Sequence, residues 1–336
     1  MRKAGGQVGD VMKLRFYSSI TSAEVNWLWY PYIPYGKLTV LQGDPGEGKS
    51  TLILNVAALL TKGKPMPDGF KGSGPHKVLY QCAEDDLADT IKPRLVAAGA
   101  DCGMVAFIQD DDRPLTIDDE HIEKAIVNTE ARLLVLDPLQ AFLPQDADMQ
   151  NAQRMRSVLR RLTAIASRTQ CAVVLIGHMN KTAAGKSLYR GLGSIDIAAI
   201  ARSVLMVERD PSDPDIRYLI PVKSSLAPEG VAIAFAFDRD KGFRWLGPCE
   251  FDLDAELQEE TSKRSHAAQL LLRILERGEM ESREIFRLLE LEGISHRTVQ
   301  TAKKDLDLEA IRKNGIWYWR IPAAITHSSE MENNHV

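Results

Sequence analysis

The residues with the clearest chemistry lie in one glycine-rich run near the start of the chain. The sequence GDPGEGKS, from Gly43 to Ser50, fits the G-x-x-x-x-G-K-[ST] pattern of a phosphate-binding P-loop. Its glycines let backbone N–H groups turn inward around a polyphosphate, Lys49 brings a positive charge to the β- and γ-phosphates, and the Ser50 hydroxyl is a ligand for Mg²⁺. The motif therefore predicts that the chain binds a nucleoside triphosphate and Mg²⁺. The residues expected to bind them are Gly43, Asp44, Pro45, Gly46, Glu47, Gly48, Lys49, Ser50 and Thr51.

A carboxylate that can hold the metal follows an apolar run further along the chain. Residues 132–136 read RLLVL, and Asp137 comes directly after them. Open α/β sheets place the residues that contact a ligand at the carboxyl ends of their strands. An aspartate in this position is also a common first residue of a loop. Because the P-loop lies upstream, we expect Asp137 to hold Mg²⁺ opposite the Ser50 hydroxyl.

A different acidic residue is the candidate catalytic base. In many P-loop ATPases a glutamate follows the metal aspartate directly. Here residue 138 is proline, so no glutamate follows Asp137. Residues 77–83 predict a strand, and Glu84 follows it directly. From the end of a neighbouring strand, Glu84 can orient and polarise the attacking water. The acidic run Glu84–Asp86 can also begin a helix, whose dipole favours acids, and both roles can hold together.

Polar and basic residues after later strands are candidates for sensing the phosphate and completing the site. The strand predicted over 171–177 leads into His178, which either contacts the γ-phosphate or has a structural role. Residues 181–194 contain no acid and predict a loop that is either plainly mobile or ordered by nucleic acid or a neighbouring subunit. Arg190 in this loop, and next Lys223 near another strand end, can supply transition-state charge across a subunit boundary, as an arginine finger does. The candidate nucleic-acid contacts in the loop are Lys181 and Lys186.

Alternating apolar segments predict the scaffold that must position these residues. Strand-like and helical runs alternate over 37–248, which is typical of an α/β fold with a mainly parallel sheet wrapped by helices. A chain of 336 residues has room for this domain and a smaller module. The net charge of −4 does not by itself indicate a nucleic-acid partner. The expected strands are 37–42, 77–83, 104–109, 132–137, 171–177, 203–208, 216–222 and 231–237.

Composition narrows the class of protein further. The cysteines are widely separated and form no C-x-x-C pair, which argues against a zinc site or a disulfide framework and suits a reducing cytosol. No apolar run reaches the roughly 18 residues of a membrane span, and the first residues lack a signal-type hydrophobic stretch. We therefore expect a soluble cytoplasmic protein with no membrane partner.

The last part of the chain predicts a separate module with a DNA-binding surface. Residues 267–275 and 282–289 predict two helices, and the second is expected to begin with Ser282 as its cap. Ser295 is expected to cap a third helix, and 311–319 predict a hairpin with Asn-Gly at its turn. A helix-turn-helix followed by a hairpin resembles a winged helix, a module used for DNA or for protein contacts. The candidate DNA contacts are Arg297, Lys303 and Lys304.

An ordered set of segments resembles the RepA-type ATPases, a RecA-like branch of P-loop proteins that includes plasmid and phage replicative helicases. The resemblance covers roughly residues 25–240. It implies a RecA-like core, ATP as the nucleotide, and a homo-oligomeric ring, usually a hexamer, with ATP bound between subunits. The segments that carry it are Trp29–Lys37, Gly43–Thr51, Ala83–Asp86, Lys92–Leu95, Asp137–Leu139, His178–Lys181 and Tyr189–Ser194.

The resemblance also assigns roles to individual residues. It places the family's P-loop lysine and serine on Lys49 and Ser50, its catalytic glutamate on Glu84 and its metal aspartate on Asp137. The histidine after the following strand falls on His178. For the finger that acts on a neighbouring subunit, the candidates in order are Arg190, Lys223 and Arg202.

Two functions follow from these patterns, and the sequence leaves both open. The first is an ATP-driven ring that moves on single-stranded DNA and unwinds duplex during replication of a mobile element. The second is an ATP-dependent regulator or initiator that binds a specific duplex site without unwinding it. The predicted organisation is a lead-in over 1–36, a RecA-like ATPase domain over 37–248, an acidic linker over 249–262, a winged-helix-like domain over 263–322 and a disordered tail over 323–336.

Overall fold

The computed structural model describes residues 14–109, 114–144, 152–178, 195–210, 212–238, 242–251, 253–276 and 278–322. The chain divides into two compact units, residues 1–251 and residues 252–336. The predicted tail over 323–336 lies outside the described residues. Among the helices described, none is long and apolar enough to cross a lipid bilayer.

A nine-stranded sheet forms the framework of the first unit. Two short strands that pair with each other precede it, β1 (Trp27–Trp29) and β2 (Ile33–Pro34). The strands of the large sheet are β3 (Leu38–Gly43), β4 (Val78–Cys82), β5 (Val105–Ala106), β6 (Leu133–Asp137), β7 (Ala172–His178), β8 (Ser203–Arg209), β9 (Ile216–Ser224), β10 (Ala232–Asp238) and β11 (Gly242–Cys249).

Helices connect the strands of this unit, and their ends follow local sequence signals. The helix that precedes β6 shows how: the Asp119 side chain accepts a hydrogen bond from the His121 N–H at 2.9 Å, and the helix then buries Ile122 and Ile126 on one face. The helices are α1 (Lys49–Thr61), α2 (Lys92–Ala97), α3 (Glu120–Thr129), α4 (Ala152–Thr169) and α5 (Ile195–Ile200). Shorter helical turns cover Tyr17–Ser19, Leu87–Ile91, Cys102–Met104 and Leu139–Phe142.

The order of the strands brings the predicted site residues to one edge of the sheet. The order is β11-β10-β9-β8-β3-β7-β6-β4-β5, and the six strands from β8 to β5 run parallel. Strand β7 lies between β3 and β6, with Gly43 opposite His178, while Cys82 of β4 lies opposite Asp137. The α/β fold with a large, mostly parallel sheet is therefore confirmed, and the carboxyl ends of β3, β4, β6 and β7 lie at a common edge.

Two strand predictions differ from the structure for identifiable reasons. The strand predicted over 104–109 pairs only at Val105–Ala106. Beyond it, the Gln81 side chain hydrogen-bonds both the N–H and the carbonyl oxygen of Ile108, each at 2.9 Å, in place of a neighbouring strand. Strand β11 is absent from the predicted set, since its sequence GFRWLGPC contains glycine and proline and alternates between half-buried and exposed residues. It pairs antiparallel with β10 at the edge of the sheet.

The second unit packs three helices against a three-stranded sheet. Its sheet order is β12-β14-β13, and its core includes Leu271, Ile285, Leu289, Val299 and Trp319. The unit therefore has a hydrophobic core of its own. Its elements are α6 (Leu253–Leu275), β12 (Met280–Glu281), α7 (Ser282–Leu291), α8 (His296–Asp305), β13 (Glu309–Lys313) and β14 (Ile316–Arg320).

Local signals in this unit hold with two corrections. Ser295 caps α8 by accepting the Thr298 N–H at 3.2 Å, and the β13–β14 turn has positive φ at both Asn314 (50°) and Gly315 (84°), as a type I′ turn requires. Ser282 does not cap α7, because it is the first helical residue and Glu281 holds the cap position without a side-chain hydrogen bond. Much of the acidic linker predicted over 249–262 is the first part of α6.

Candidate functional site

The P-loop follows a fully buried strand and leads into a helix. Strand β3 ends at Gly43, where an added Cβ would lie 2.6 Å from the Val207 carbonyl oxygen, so no larger residue fits without a shift. Gly46 and Gly48 have φ of 83° and 86°, which glycine adopts without strain. Gly48 is the N-cap of α1, whose first N–H groups and positive dipole end favour an anion. This segment has the backbone form of a phosphate cradle.

Lys49 is held inside this loop rather than in solvent. Its side chain is 4% exposed, and Nζ donates to the carbonyl oxygens of Gly43 and Asp44, both at 2.8 Å. Burial lowers the pKa of the ammonium, while the nearby carboxylates of Asp137, Asp44, Glu47 and Glu84 counteract that change. The structure thus places Lys49 close to both acids that the sequence assigned to metal binding and catalysis.

A tyrosine that no sequence motif singles out contacts Asp137 and lies near Ser50. The Tyr80 hydroxyl donates to Asp137 Oδ2 at 2.5 Å, and the Ser50 side chain lies near the phenol. Tyr80 and Asp137 are buried, at 2% and 6% exposure. Burial is the main cause that raises the pKa of the Tyr80 phenol well above its usual value, so the phenol keeps its proton and stays a donor. The aspartate expected to bind the metal therefore has a buried hydrogen-bond donor beside it.

Glu84 lies just beyond the end of β4, beside Asp137, the aspartate that the sequence predicts to bind the metal. The Ala83 N–H donates to the Asp137 carbonyl oxygen at 3.1 Å, which fixes the chain immediately before Glu84. Its neighbours have other roles: Asp85 pairs with Arg94 at 2.8 Å, and Asp86 caps the turn Leu87–Ile91. Glu84 is exposed, and within the described part of the chain its carboxylate makes no hydrogen bond or ion pair. The helix-start role thus falls to Asp86, and Glu84 remains available for chemistry.

Two arginines support the P-loop from the antiparallel part of the sheet. Arg209 Nε pairs with Glu47 Oε2 at 3.0 Å, and its Nη2 donates to the Gly46 carbonyl at 3.2 Å. Arg217 lies opposite Arg209, is 6% exposed, and reaches within 3.7 Å of where a Cβ on Gly48 would stand. Sequence reasoning missed both, because they lie far along the chain: the pairing of β8 with β3 brings Arg209 to the loop, and the pairing of β9 with β8 brings Arg217.

The two described finger candidates, Arg202 and Lys223, lie at the opposite edge of the sheet. The Arg202 N–H donates to the Leu38 carbonyl at the start of β3. Gly43 lies five positions further along the strand than Leu38, which at about 3.3 Å per residue is roughly 16 Å. Lys223 Nζ donates to the carbonyls of Ala198, Ala199 and Ala201, where α5 ends, at 2.8, 3.2 and 2.9 Å. Neither cation can therefore reach its own P-loop.

Several predicted residues lie outside the described part of the structure. The backbone of His178 ends β7 opposite Gly43, but its side chain is not described. Lys181, Lys186 and Arg190 fall in the undescribed range 179–194. Their assignments remain predictions from the sequence.

The predicted DNA contacts of the second unit all lie on α8. Arg297 and Lys304 are exposed. Lys303 is half-buried, and its ammonium lies 4.7 Å from the centre of the Trp319 ring, so it also helps to pack the unit. Trp317 on the adjacent hairpin is 49% exposed, with the Arg312 guanidinium 5.8 Å from its ring centre.

The fold and the site together define a P-loop nucleotide-binding protein with a mostly parallel sheet. The chain belongs to the AAA_25 family, described as an AAA domain, whose model matches residues 10–184. This matched range contains β3 to β7, and with them the P-loop, Glu84 and Asp137.

Curated relatives and a solved structure match parts of the chain. The DNA repair protein RadA of Chlamydia pneumoniae is 28% identical over 149 residues, and that of Mycobacterium tuberculosis is 27% identical over 152 residues. These matches cover 44% of this chain and 29% and 28% of the relatives, so the chain spans less than a third of the length of the curated relatives it matches. A solved structure of an ATPase domain gives a TM-score of 0.47 at 14% identity, over 63% of this chain and 84% of that one.

Proposed function

We propose that this chain is a RecA-like ATPase that acts on DNA. The observation that carries the ATPase part is the convergence of Lys49, Ser50, Asp137 and Glu84 at one edge of the sheet, around a loop shaped for phosphates. The RadA relatives are DNA repair proteins by name, which supports DNA as the partner. The family membership supports nucleotide hydrolysis as the source of the activity.

The residues present fit Mg²⁺ and ATP. Gly43 leaves no room for a side chain beside the loop, and Lys49 lies buried among acids. Ser50 and Asp137 would hold Mg²⁺, which when bound offsets charge on the phosphate oxygens. Lys49 would exchange its carbonyl partners for phosphate oxygens, and Glu84 would accept a proton from the attacking water.

Lys49→Ala tests this assignment. We expect nucleotide hydrolysis to fall by about 100-fold or more, since loss of one positioned donor costs about that much in related chemistry. Lys62→Ala is the matched control, because Lys62 is an exposed lysine at the other end of α1. Phosphate release should be measured with and without single-stranded DNA. Equal rates for wild type and Lys49→Ala would contradict the proposal.

We further propose that the site is completed by a neighbouring subunit in a ring, for which a hexamer is the expected form. Arg202 and Lys223 lie about 16 Å along the sheet from their own P-loop, so they can serve only another copy. Arg190 remains the first candidate from the sequence. Particle mass in solution, with and without ATP, tests the ring directly.

A mixing experiment identifies the residue that acts across the boundary. Each finger variant (Arg190→Ala, Arg202→Ala or Lys223→Met) keeps its P-loop, while Lys49→Ala keeps all three cations. A finger variant and Lys49→Ala are each expected to be inactive alone. When the two are mixed, an intact P-loop of one copy can meet an intact cation of the other, so part of the hydrolysis rate should be recovered. If no mixture recovers activity, the candidates do not act between subunits.

The second unit supports a direct contact with duplex DNA. We propose that this unit is a winged helix-turn-helix, which is supported by its order of α7, a turn, α8 and the β13–β14 hairpin. We propose that α8 enters the major groove and presents Arg297, Lys303 and Lys304. Single-stranded DNA would instead contact the basic loop through Lys181 and Lys186.

Two modes of action are compatible with these parts. The motor, a replicative-type helicase of a mobile element, is favoured by the acid-free basic loop over 181–194. The switch, a DNA-binding regulator or replication initiator without unwinding, is favoured by the exposed cations of α8. A forked-duplex unwinding assay with Lys49→Ala as control separates them. Strand displacement that requires ATP supports the motor, and site-specific duplex binding without displacement supports the switch.

A further inference from the structure

Tyr80 has a chemical role that its position in an apolar strand does not explain. The strand reads Val78-Leu79-Tyr80-Gln81-Cys82, and its residues are buried or nearly so. A phenylalanine would fill the same space without a buried hydroxyl, and an unpaired buried hydroxyl is destabilising. The Tyr80 hydroxyl is not unpaired, because it donates to Asp137 Oδ2 at 2.5 Å.

The register of the sheet explains how the phenol reaches this carboxylate. Tyr80 lies opposite Val135, and two residues further along Cys82 lies opposite Asp137. Residues two apart share one face of a sheet, so the Tyr80 ring lies along the face on which the Asp137 side chain stands. The Ser50 side chain lies near the same phenol. One buried group therefore donates to Asp137 and lies near Ser50, the two residues that are proposed to hold Mg²⁺.

We infer that Tyr80 is a positioning residue for the metal site, which orients Asp137 through the hydrogen bond that its hydroxyl donates. This inference rests on the proposed function, because it concerns the same Mg²⁺ and nucleotide. With one carboxylate oxygen occupied by the phenol O–H, the orientation of the other oxygen is fixed. Groups that orient metal ligands in this way usually change metal affinity by about 10- to 100-fold when removed.

The test compares Tyr80→Phe with wild type in the full-length chain. Binding of a fluorescent ATP analogue is followed while Mg²⁺ is titrated, and again in the presence of a chelator. We expect the Mg²⁺ concentration for half-maximal binding to rise about 10-fold or more, while affinity without metal stays within about twofold. Tyr32→Phe is the matched control, because Tyr32 is equally buried and its hydroxyl donates to the Val231 carbonyl, away from the P-loop.

A double variant keeps the test decisive if the single change loosens the fold. In an Asp137→Asn background, the Tyr80→Phe change should have no further effect on the Mg²⁺ requirement, since the group that it orients is already altered. An additional loss in that background, or an unchanged Mg²⁺ requirement in the single variant, overturns the inference and leaves the proposed function intact. If the wild type binds no nucleotide, the proposed function fails, and the role of Tyr80 fails with it.

Discussion

Lys223 caps the C-terminus of α5 with its ammonium group, and this contact gives a specific prediction about stability. Nζ donates to three carbonyl oxygens, those of Ala198, Ala199 and Ala201. Hydrogen bonds from a charged donor contribute about 1.5–3 kcal/mol, but this side chain is only half-buried and water can reach the carbonyls after its removal. We therefore expect Lys223→Met, which keeps the apolar stem, to lower the free energy of unfolding by about 1–2 kcal/mol.

This loss can be measured as a melting temperature and located by hydrogen exchange. For a unit of about 150–250 residues, 1 kcal/mol corresponds to about 2–4 °C, so the expected decrease is about 2–8 °C. Exchange of the α5 amides should accelerate, since the end of the helix loses its cap. Arg202→Met is the control, because Arg202 is an exposed cation near Lys223; burial, and after it the charge of Arg202, lowers the pKa of Lys223.

The Arg202→Met variant should melt within about 1 °C of wild type, as expected for an exposed side chain. If Lys223→Met melts at the wild-type temperature and α5 exchanges at its wild-type rate, the capping role is refuted. A stability loss of the expected size, together with recovery of part of the hydrolysis rate in the mixing experiment, would show that one lysine both caps α5 and serves a neighbour.

Three further predictions test the loop, the core and the second unit. Gly48→Ala should lose about 1–2 kcal/mol of stability because φ is 86°, and should weaken nucleotide binding, whereas Gly69→Ala, at φ 85°, should lose stability alone in the same melting and binding assays. Burial lowers the pKa of His76 in the folded chain, so the unfolded chain binds a proton on this histidine more readily. The free energy of unfolding should therefore decrease as pH drops through about 6.5. In His76→Gln, the urea midpoints measured at about pH 7.5 and pH 5.5 should differ less than in wild type. Lys304→Ala should weaken duplex binding and reduce the slope of log affinity against log salt concentration by about 1. Arg320→Ala is the control and should leave this slope unchanged, because the Arg320 side chain is paired with Glu309. Equal slopes for wild type and Lys304→Ala would show that α8 is not part of the DNA interface.

The part of the fold that the sequence predicted is the part with strong local signals. Buried runs followed by glycine or an acid marked β3, β4 and β6 within one or two residues, because these strands are apolar on both faces. The hairpin turn at Asn314 and Gly315 was equally clear, since few dipeptides adopt that geometry.

The features that were missed depend on contacts between distant segments. In the sequence Tyr80 is one more residue of an apolar strand. Only the structure shows that its hydroxyl donates to Asp137, 57 residues away. Arg209 reaches Glu47 over 162 residues, which no pattern of local spacing indicates. Glu281 is the N-cap of α7 but makes no side-chain hydrogen bond. The preference for serine at caps therefore led to the wrong prediction of Ser282, the next residue. Sequence reasoning thus named the candidate site residues, but it did not identify the distant residues that contact them.

The positions of the two half-sites constrain how copies of this chain can assemble. The P-loop, Asp137 and Glu84 lie at the carboxyl edge of the parallel strands, whereas Arg202 and Lys223 lie at the amino edge. If a cation of one copy completes the nucleotide site of another, the amino edge of one sheet faces the carboxyl edge of another. Where these edges form two separate surfaces, the interface is heterologous and repeats either into a ring or into an open filament. A two-fold dimer satisfies the same pairing only if one interface contains both edges, so that each cation faces the partner's P-loop. A nucleotide-dependent assembly of either kind whose hydrolysis rate is unchanged by Arg202→Ala and by Lys223→Met would exclude both cations from hydrolysis.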